Sequence, residues 1–101
     1  MNYSALPDKQ LNQLVASTLD IAHRPFHPCN EIEHAWPIIT GHGIALIPDQ
    51  NSTAWLGVAD PGYVQLSGHL LVAGELARDD NPLRAAMIAF LKLQEQLQLA
   101  N

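Results

Sequence analysis

The chain has 101 residues, 48% of them apolar and 15% charged, which is the composition of a single globular domain and excludes a largely disordered protein. Ten acidic residues against five Lys and Arg give a formal charge of −5, and the five cations are scattered, which argues against nucleic acid as a partner. The single cysteine, Cys29, excludes an intramolecular disulfide and suits the reducing cytoplasm. With no signal-like start and no apolar run of the roughly 20 residues that span a membrane, we expect neither export nor membrane insertion.

The N-terminal part predicts a helix followed by a loop. Apolar residues recur with helical spacing after Pro7, which suits the first turn of a helix because its missing N–H has no partner there. We therefore place a helix from Pro7 to Ala22. Pro25 and Pro28 disfavour helical backbone in the next segment, so residues 23–30 are predicted to form a loop.

A second, shorter helix is predicted next, and two starting points compete. Either Asn30 caps it with Glu33 three residues later, or Pro37 is its first helical residue. Gly41 and Gly43 end the helix in either case, as left-handed residues at its C-terminus.

The middle of the chain predicts an antiparallel sheet. Residues 44–48 and 54–59 are β-prone runs, and the sequence Asp60-Pro61-Gly62 fits a type II turn that leads into a third strand from residue 64. The dipeptide Ser67-Gly68 could split that last stretch into a hairpin, so three strands and four strands both remain open.

The C-terminal part predicts a loop and a long helix. Residues 74–80 form the loop, Asn81 caps the helix and Pro82 is its first residue. The helix, residues 82–98, is apolar almost all round, which is typical of a helix that is central in its domain or shared with another subunit. A small sheet covers one side of a helix, so we expect a homodimer contact through this helix.

Four side chains that could bind a metal lie close together in the sequence: His23, His27, Cys29 and His34. Their spacing does not match a recognised zinc-binding motif, so we favour histidines in a surface loop and predict neither a metal nor another cofactor. Cys29 beside His27 or His34 could also form a nucleophile and base, but a lone cysteine is more often a small buried apolar residue.

Two tryptophans and two arginines are the candidates for contacts. We expect Trp36 and Trp55 to pack against the sheet, and the alternative is a contact surface that combines Trp55 with Arg84 or Arg78, since Trp and Arg commonly anchor interfaces. A charged residue on an otherwise apolar helix needs a partner, and we expect Arg84 to pair with a carboxylate such as Asp80.

Four segments carry a resemblance to a known family: Cys29-Asn30, Ala35-Trp36-Pro37-Ile38-Ile39, Ile44-Ala45-Leu46-Ile47-Pro48 and Asn81-Pro82-Leu83-Arg84-Ala85-Ala86-Met87-Ile88. Together they resemble the small NinX-type proteins of tailed bacteriophages and prophages, over nearly the whole chain. That family has no established activity, so the resemblance implies no catalytic residue. It implies an accessory gene product in the cytoplasm of an infected or lysogenic bacterium.

We therefore predict one α+β domain with an N-terminal helix, a short second helix, a three- or four-stranded antiparallel sheet and a long C-terminal helix. The predicted function is that of a non-catalytic protein–protein interaction module that acts as a homodimer. The alternative is a small-molecule-binding or metal-binding protein, or a small enzyme, that uses the loop with His23, His27, Cys29 and His34.

Overall fold

The computed structural model describes residues 2–21, 25–66 and 69–99, and over these residues the chain has the predicted α+β fold. A 3₁₀ turn at Tyr3–Ala5 precedes three α-helices and one antiparallel sheet of three strands. The elements are α1 (Asp8–Thr18), α2 (Ile32–Gly41), β1 (Ala45–Pro48), β2 (Trp55–Leu66), β3 (His69–Asp79) and α3 (Pro82–Leu99). None of these described helices is both long enough and apolar enough to cross a membrane.

Helix α3 lies between the sheet and the other two helices. It contacts all three strands and also packs against α1 and α2. Residues 85–91 of α3, nearly two full turns, are each no more than 5% exposed. The apolar pattern on all sides of this helix, from which we expected a dimer, is thus accounted for within one chain. Leu97, near the end of α3, remains 50% exposed.

Helix α1 ends earlier than predicted, at Thr18. Asp20 adopts the left-handed conformation with φ 59°, and the backbone N–H of Ile21 donates to the carbonyl oxygen of Ala16 at 2.9 Å. This arrangement is a Schellman motif, which usually employs glycine at the left-handed position. The predicted continuation of the helix past Thr18 is wrong because Asp20 leaves the helical conformation, and the predicted last residue, Ala22, lies outside the described residues.

Helix α2 begins before its proline. Glu31 is the N-cap and Ile32 the first helical residue. The predicted cap, Asn30, is therefore wrong by one residue, and the alternative start at Pro37 is also wrong. Pro37 stands inside the helix, where it removes one backbone hydrogen bond of an otherwise continuous ladder. Gly43, with φ 64°, follows the helix in the left-handed conformation as predicted. Gly41 is not left-handed, because it is itself the last helical residue.

Strand β2 continues through the predicted turn. Ala59 pairs with Glu75 and Gly62 pairs with Ala73, so two residues of β2, Asp60 and Pro61, lie opposite one residue of β3. This is a β-bulge, and a bulge accommodates a proline that cannot donate to the ladder. The prediction of a type II turn at residues 60–62 is therefore wrong.

Leu66, the last residue of β2, pairs instead with His69, the first residue of β3. The sheet thus has three strands, in the order β1-β2-β3. The hairpin turn considered at Ser67-Gly68 lies outside the described residues. The predicted loop at residues 74–80 is also wrong, because β3 continues to Asp79 and pairs there with Trp55.

The start of α3 is as predicted. The side-chain oxygen Oδ1 of Asn81 accepts hydrogen bonds from the backbone N–H groups of Leu83 at 2.9 Å and Arg84 at 3.4 Å. The amide group of Asn81 donates in turn to the carbonyl oxygen of Cys29 at 2.9 Å. The cap therefore also joins α3 to the loop that precedes α2.

Candidate interaction surfaces

Arg84 joins the N-terminal segment to α3 and β3. Its Nε donates to Asp79 Oδ2 at 2.9 Å and its Nη1 to Asp8 Oδ1 at 2.8 Å. Its Nη2 donates to the carbonyl oxygens of Ser4 at 2.9 Å and Leu6 at 2.6 Å. The side chain is 13% exposed. Partial burial by itself lowers the pKa of Arg84, but the hydrogen bonds to the two carboxylates outweigh it and raise that pKa.

The predicted pairing of Arg84 with Asp80 is wrong, although the expectation of a carboxylate partner is confirmed. Asp80 accepts a hydrogen bond from the hydroxyl of Thr53 at 3.3 Å instead. The physical reason is that Asp79, as the last residue of β3, is held by strand pairing within reach of the guanidinium, whereas Asp80 lies in the connection. Arg84 therefore holds the fold together and offers little to a partner.

Cys29 is a buried thiol. It has no exposed surface, and its backbone N–H donates to Asn12 Oδ1 at 2.9 Å. Burial, followed by the negative charge of Asp8, raises the pKa of the Cys29 thiol to about 12. A thiol in these surroundings is protonated at neutral pH and is not poised as a nucleophile.

We expect Cys29 to resist thiol reagents in the native protein. At pH 8 an aromatic disulfide reagent should modify it only as fast as the chain unfolds, and modification should become complete within the mixing time in concentrated urea. The rates are measured by absorbance with and without urea. Rapid modification of the native protein would contradict the buried position and would restore the nucleophile hypothesis.

The histidines next to Cys29 bind one another and Glu31. The backbone N–H of His27 donates to His34 Nδ1 at 2.9 Å, His34 Nε2 lies 3.3 Å from Glu31 Oε2, and the ring of Phe26 stacks on His34 at 5.5 Å. Both ring nitrogens of His34 are therefore occupied within the chain. His23 lies outside the described residues, and the described ones contain no group of three or more side chains that could hold a metal ion.

The predicted surface does not combine Trp55 with Arg78, and Arg84 binds Asp79, the residue that pairs with Trp55. Trp55 pairs with Asp79, whereas its neighbour Leu56 pairs with Arg78, so Trp55 and Arg78 lie on opposite faces of the sheet. Trp55 is half-buried, and Arg78 Nη2 lies 2.6 Å from Asp49 Oδ2.

Helix α2 presents an exposed apolar face. Ile32 and Trp36 are one turn apart, and their exposed fractions are 54% and 56%. The other side of the helix is held against the core by buried Ala35, Ile38 and Ile39. The expectation that Trp36 packs against the sheet is wrong, and its place among the candidates for contacts stays a prediction. We call Ile32 and Trp36 the α2 face.

A groove of about 840 Å³ runs between α1 and the loop before α2. Three polar side chains that line it already bind each other. Asn30 donates to Asp8 Oδ2 at 3.0 Å, and Asn12 donates to Asn30 Oδ1 at 3.2 Å. Asp8 also accepts a hydrogen bond from Arg84. These groups therefore have much of their hydrogen-bonding capacity used within the chain.

Sequence reasoning missed Asn12, which connects the loop before α2 to α1. It is 5% exposed and lies on the same stripe of α1 as buried Leu11 and Val15. A polar residue within a buried apolar stripe has to be hydrogen-bonded. The position of Asn12 beside Leu11 could therefore have indicated a buried hydrogen bond.

Comparison of the chain with models of known protein families, with curated proteins and with solved structures finds no match in any of the three.

Proposed function

We propose that this protein is a non-catalytic interaction module that binds another protein through the α2 face. The single observation that carries the proposal is the exposure of Trp36 and Ile32 on a helix whose opposite side is anchored in the core. Burying a tryptophan side chain removes a large apolar area from water, and tryptophan is among the residues that most often dominate the binding energy of an interface. An anchored helix also loses little conformational entropy when a partner binds to it.

The charges around the α2 face indicate the chemistry of that partner. Glu31 and Glu33, at the start of the helix, are exposed, and residues 31–48 contain neither Lys nor Arg. An acidic rim favours a partner whose apolar pocket is bordered by Lys or Arg, and it disfavours a second copy of this acidic chain. The partner on this face is accordingly a different protein with a basic surface.

The biological setting belongs to the same proposal. It follows from the resemblance of the Trp36-Pro37 and Asn81-Pro82-Leu83-Arg84 segments to NinX-type proteins. An accessory phage or prophage protein in the cytoplasm of a bacterial host would act by binding a host or phage protein. The bonds that His34 and the polar groups of the large groove make within the chain favour this function over the enzyme alternative.

The test compares Trp36→Ala with Leu97→Ala, which removes an equally exposed apolar side chain from α3. Tagged wild-type protein and both variants are used to capture proteins from a nuclease-treated bacterial lysate. We expect one protein in stoichiometric amount with the wild type and with Leu97→Ala, and at least a tenfold loss with Trp36→Ala. Both variants should unfold within about 0.5 kcal/mol of the wild type, because the replaced side chains are half exposed.

Direct binding then has to be reproduced with the purified partner. In a Trp55→Phe variant, Trp36 is the only tryptophan, so its fluorescence reports on this face alone. Addition of the partner should shift the emission to shorter wavelength, and added salt should weaken binding through the acidic rim. Equal capture by wild type and Trp36→Ala, or unchanged Trp36 emission on binding, would overturn the proposal.

A further inference from the structure

The β2–β3 hairpin extends beyond the strand that flanks it. Strand β1 pairs with β2 only from Trp55 to Val58, whereas β2 and β3 remain paired as far as Leu66 and His69. Among the described strands, β3 has no neighbour on its outer edge, and β2 has none on its outer edge beyond Val58. Unpaired backbone N–H and C=O groups along such an edge are a template for pairing with another chain.

The sequence does not protect the edge of β3. No Asp, Glu, Lys or Arg stands between Asp60 and Glu75, and β3 has neither a charge nor a proline from His69 to Gly74. Natural proteins use those residues to prevent an exposed edge strand from pairing. The edge of β2 differs, because it carries Pro61 at the bulge. Several residue pairs across this part of the hairpin are apolar, among them Tyr63↔Val72 and Val64↔Leu71.

An apolar two-stranded hairpin is marginally stable by itself in water and needs a further strand or another covering element. We propose that two copies of this chain associate by antiparallel pairing of their β3 edges about a two-fold axis, which produces a continuous six-stranded sheet. An antiparallel edge is self-complementary under such an axis, because each strand presents the same donors and acceptors to the other.

Charge favours a second copy at this edge. Each chain carries a formal charge of −5, so the repulsion between two copies is smallest where they meet through a surface without charged residues. Residues 69–74 of β3 satisfy that condition. This interface differs from the predicted one through α3, whose residues 85–91 are already buried within one chain. It also does not depend on the proposed function of the α2 face.

Sedimentation equilibrium of Leu71→Lys and Leu97→Lys tests the proposal. Leu71 lies in the uncharged part of β3, and Leu97 is the exposed apolar residue of α3. We expect the wild type and Leu97→Lys to be dimers at tens of micromolar, and the dissociation constant of Leu71→Lys to be at least tenfold higher. A wild type that is monomeric at those concentrations would overturn the proposal, as would a dimer that Leu97→Lys dissociates and Leu71→Lys does not.

Hydrogen exchange of the wild-type protein provides a measurement that does not depend on whether a variant folds. Every second backbone N–H of an edge strand points away from the sheet and exchanges rapidly unless another strand pairs with it. In the dimer, the outward-pointing amides among residues 69–74 should be protected, and dilution should remove that protection while leaving the β1 amides of residues 45–48 unchanged. Exchange of residues 69–74 that is independent of protein concentration would contradict pairing through β3.

Discussion

Replacement of Arg84 by alanine is expected to lower the free energy of unfolding by about 2 to 3 kcal/mol. The loss leaves the carboxylates of Asp8 and Asp79 without their cation and the carbonyl oxygens of Ser4 and Leu6 without their donor. The measurement is urea unfolding followed by circular dichroism. Arg84→Lys should lose less, because it keeps the charge, but it cannot replace the fork of donors that reaches two carboxylates and two carbonyl groups.

Arg78→Ala is the matched control for Arg84→Ala. Arg78 also pairs with a carboxylate, that of Asp49 at 2.6 Å, but its side chain is 58% exposed. A solvated pair of this kind contributes about 0 to 1 kcal/mol. Equal destabilisation by the two alanine variants would mean that the burial of Arg84 and its bonds to the N-terminal segment do not matter.

Replacement of Gly57 by alanine is expected to destabilise the protein by about 2 to 3 kcal/mol, although the change adds one methyl group. A Cβ atom at this position would lie 2.6 Å from the carbonyl oxygen of Ala85 and 2.8 Å from its carbonyl carbon. Those atoms belong to the backbone of α3, so the whole helix would have to move away from the sheet. Thermal unfolding and urea unfolding both measure the effect.

Gly41→Ala is the corresponding control for Gly57→Ala. A Cβ atom at Gly41 meets nothing within 4 Å, and this glycine is the last residue of α2. Alanine has a better helix propensity than glycine, so the variant should be neutral or more stable by up to about 1 kcal/mol. If Gly57→Ala were as well tolerated as Gly41→Ala, α3 would not lie as close to β2 as the structure places it.

The two proposed surfaces have a joint consequence for binding. A dimer that forms through β3 carries two copies of the α2 face, each with its own Trp36. A partner that is itself dimeric or repetitive would then bind both copies. Because the two faces are linked, the second binding event is intramolecular, and the overall affinity exceeds that of a single face. Leu71→Lys should therefore weaken capture of such a partner while leaving the affinity of a single α2 face unchanged.

The elements that the sequence predicted well depend on interactions between close neighbours. The start of α3 at Asn81 and Pro82 was predicted correctly, because the capping hydrogen bonds join residues two and three positions apart. The α+β class and the existence of the three helices followed from apolar spacing and from glycine and proline positions. These signals act within a few residues, so they can be recognised without knowledge of the fold.

The sequence was a poor guide where several local patterns were compatible with more than one fold. Asp60-Pro61-Gly62 is equally suited to a turn or to a bulge, and the pairing of Ala59 with Glu75 and of Gly62 with Ala73 selects the bulge. Pro37 signals a helix start, yet the helix begins at Ile32 because the buried side of α2 is supported by the core. In each case contacts with distant segments outweigh a weak local preference.

By itself, the sequence determined the class of the fold, the long apolar helix and the place where that helix begins. Only the tertiary structure decided which side chains are left for a partner. Arg84 is used internally because folding brings it to Asp8, 76 positions away, and Trp36 remains exposed because the core covers the opposite side of α2. Burial and ion pairing are properties of the assembled layers, and periodicity along one segment does not specify which layer will cover it.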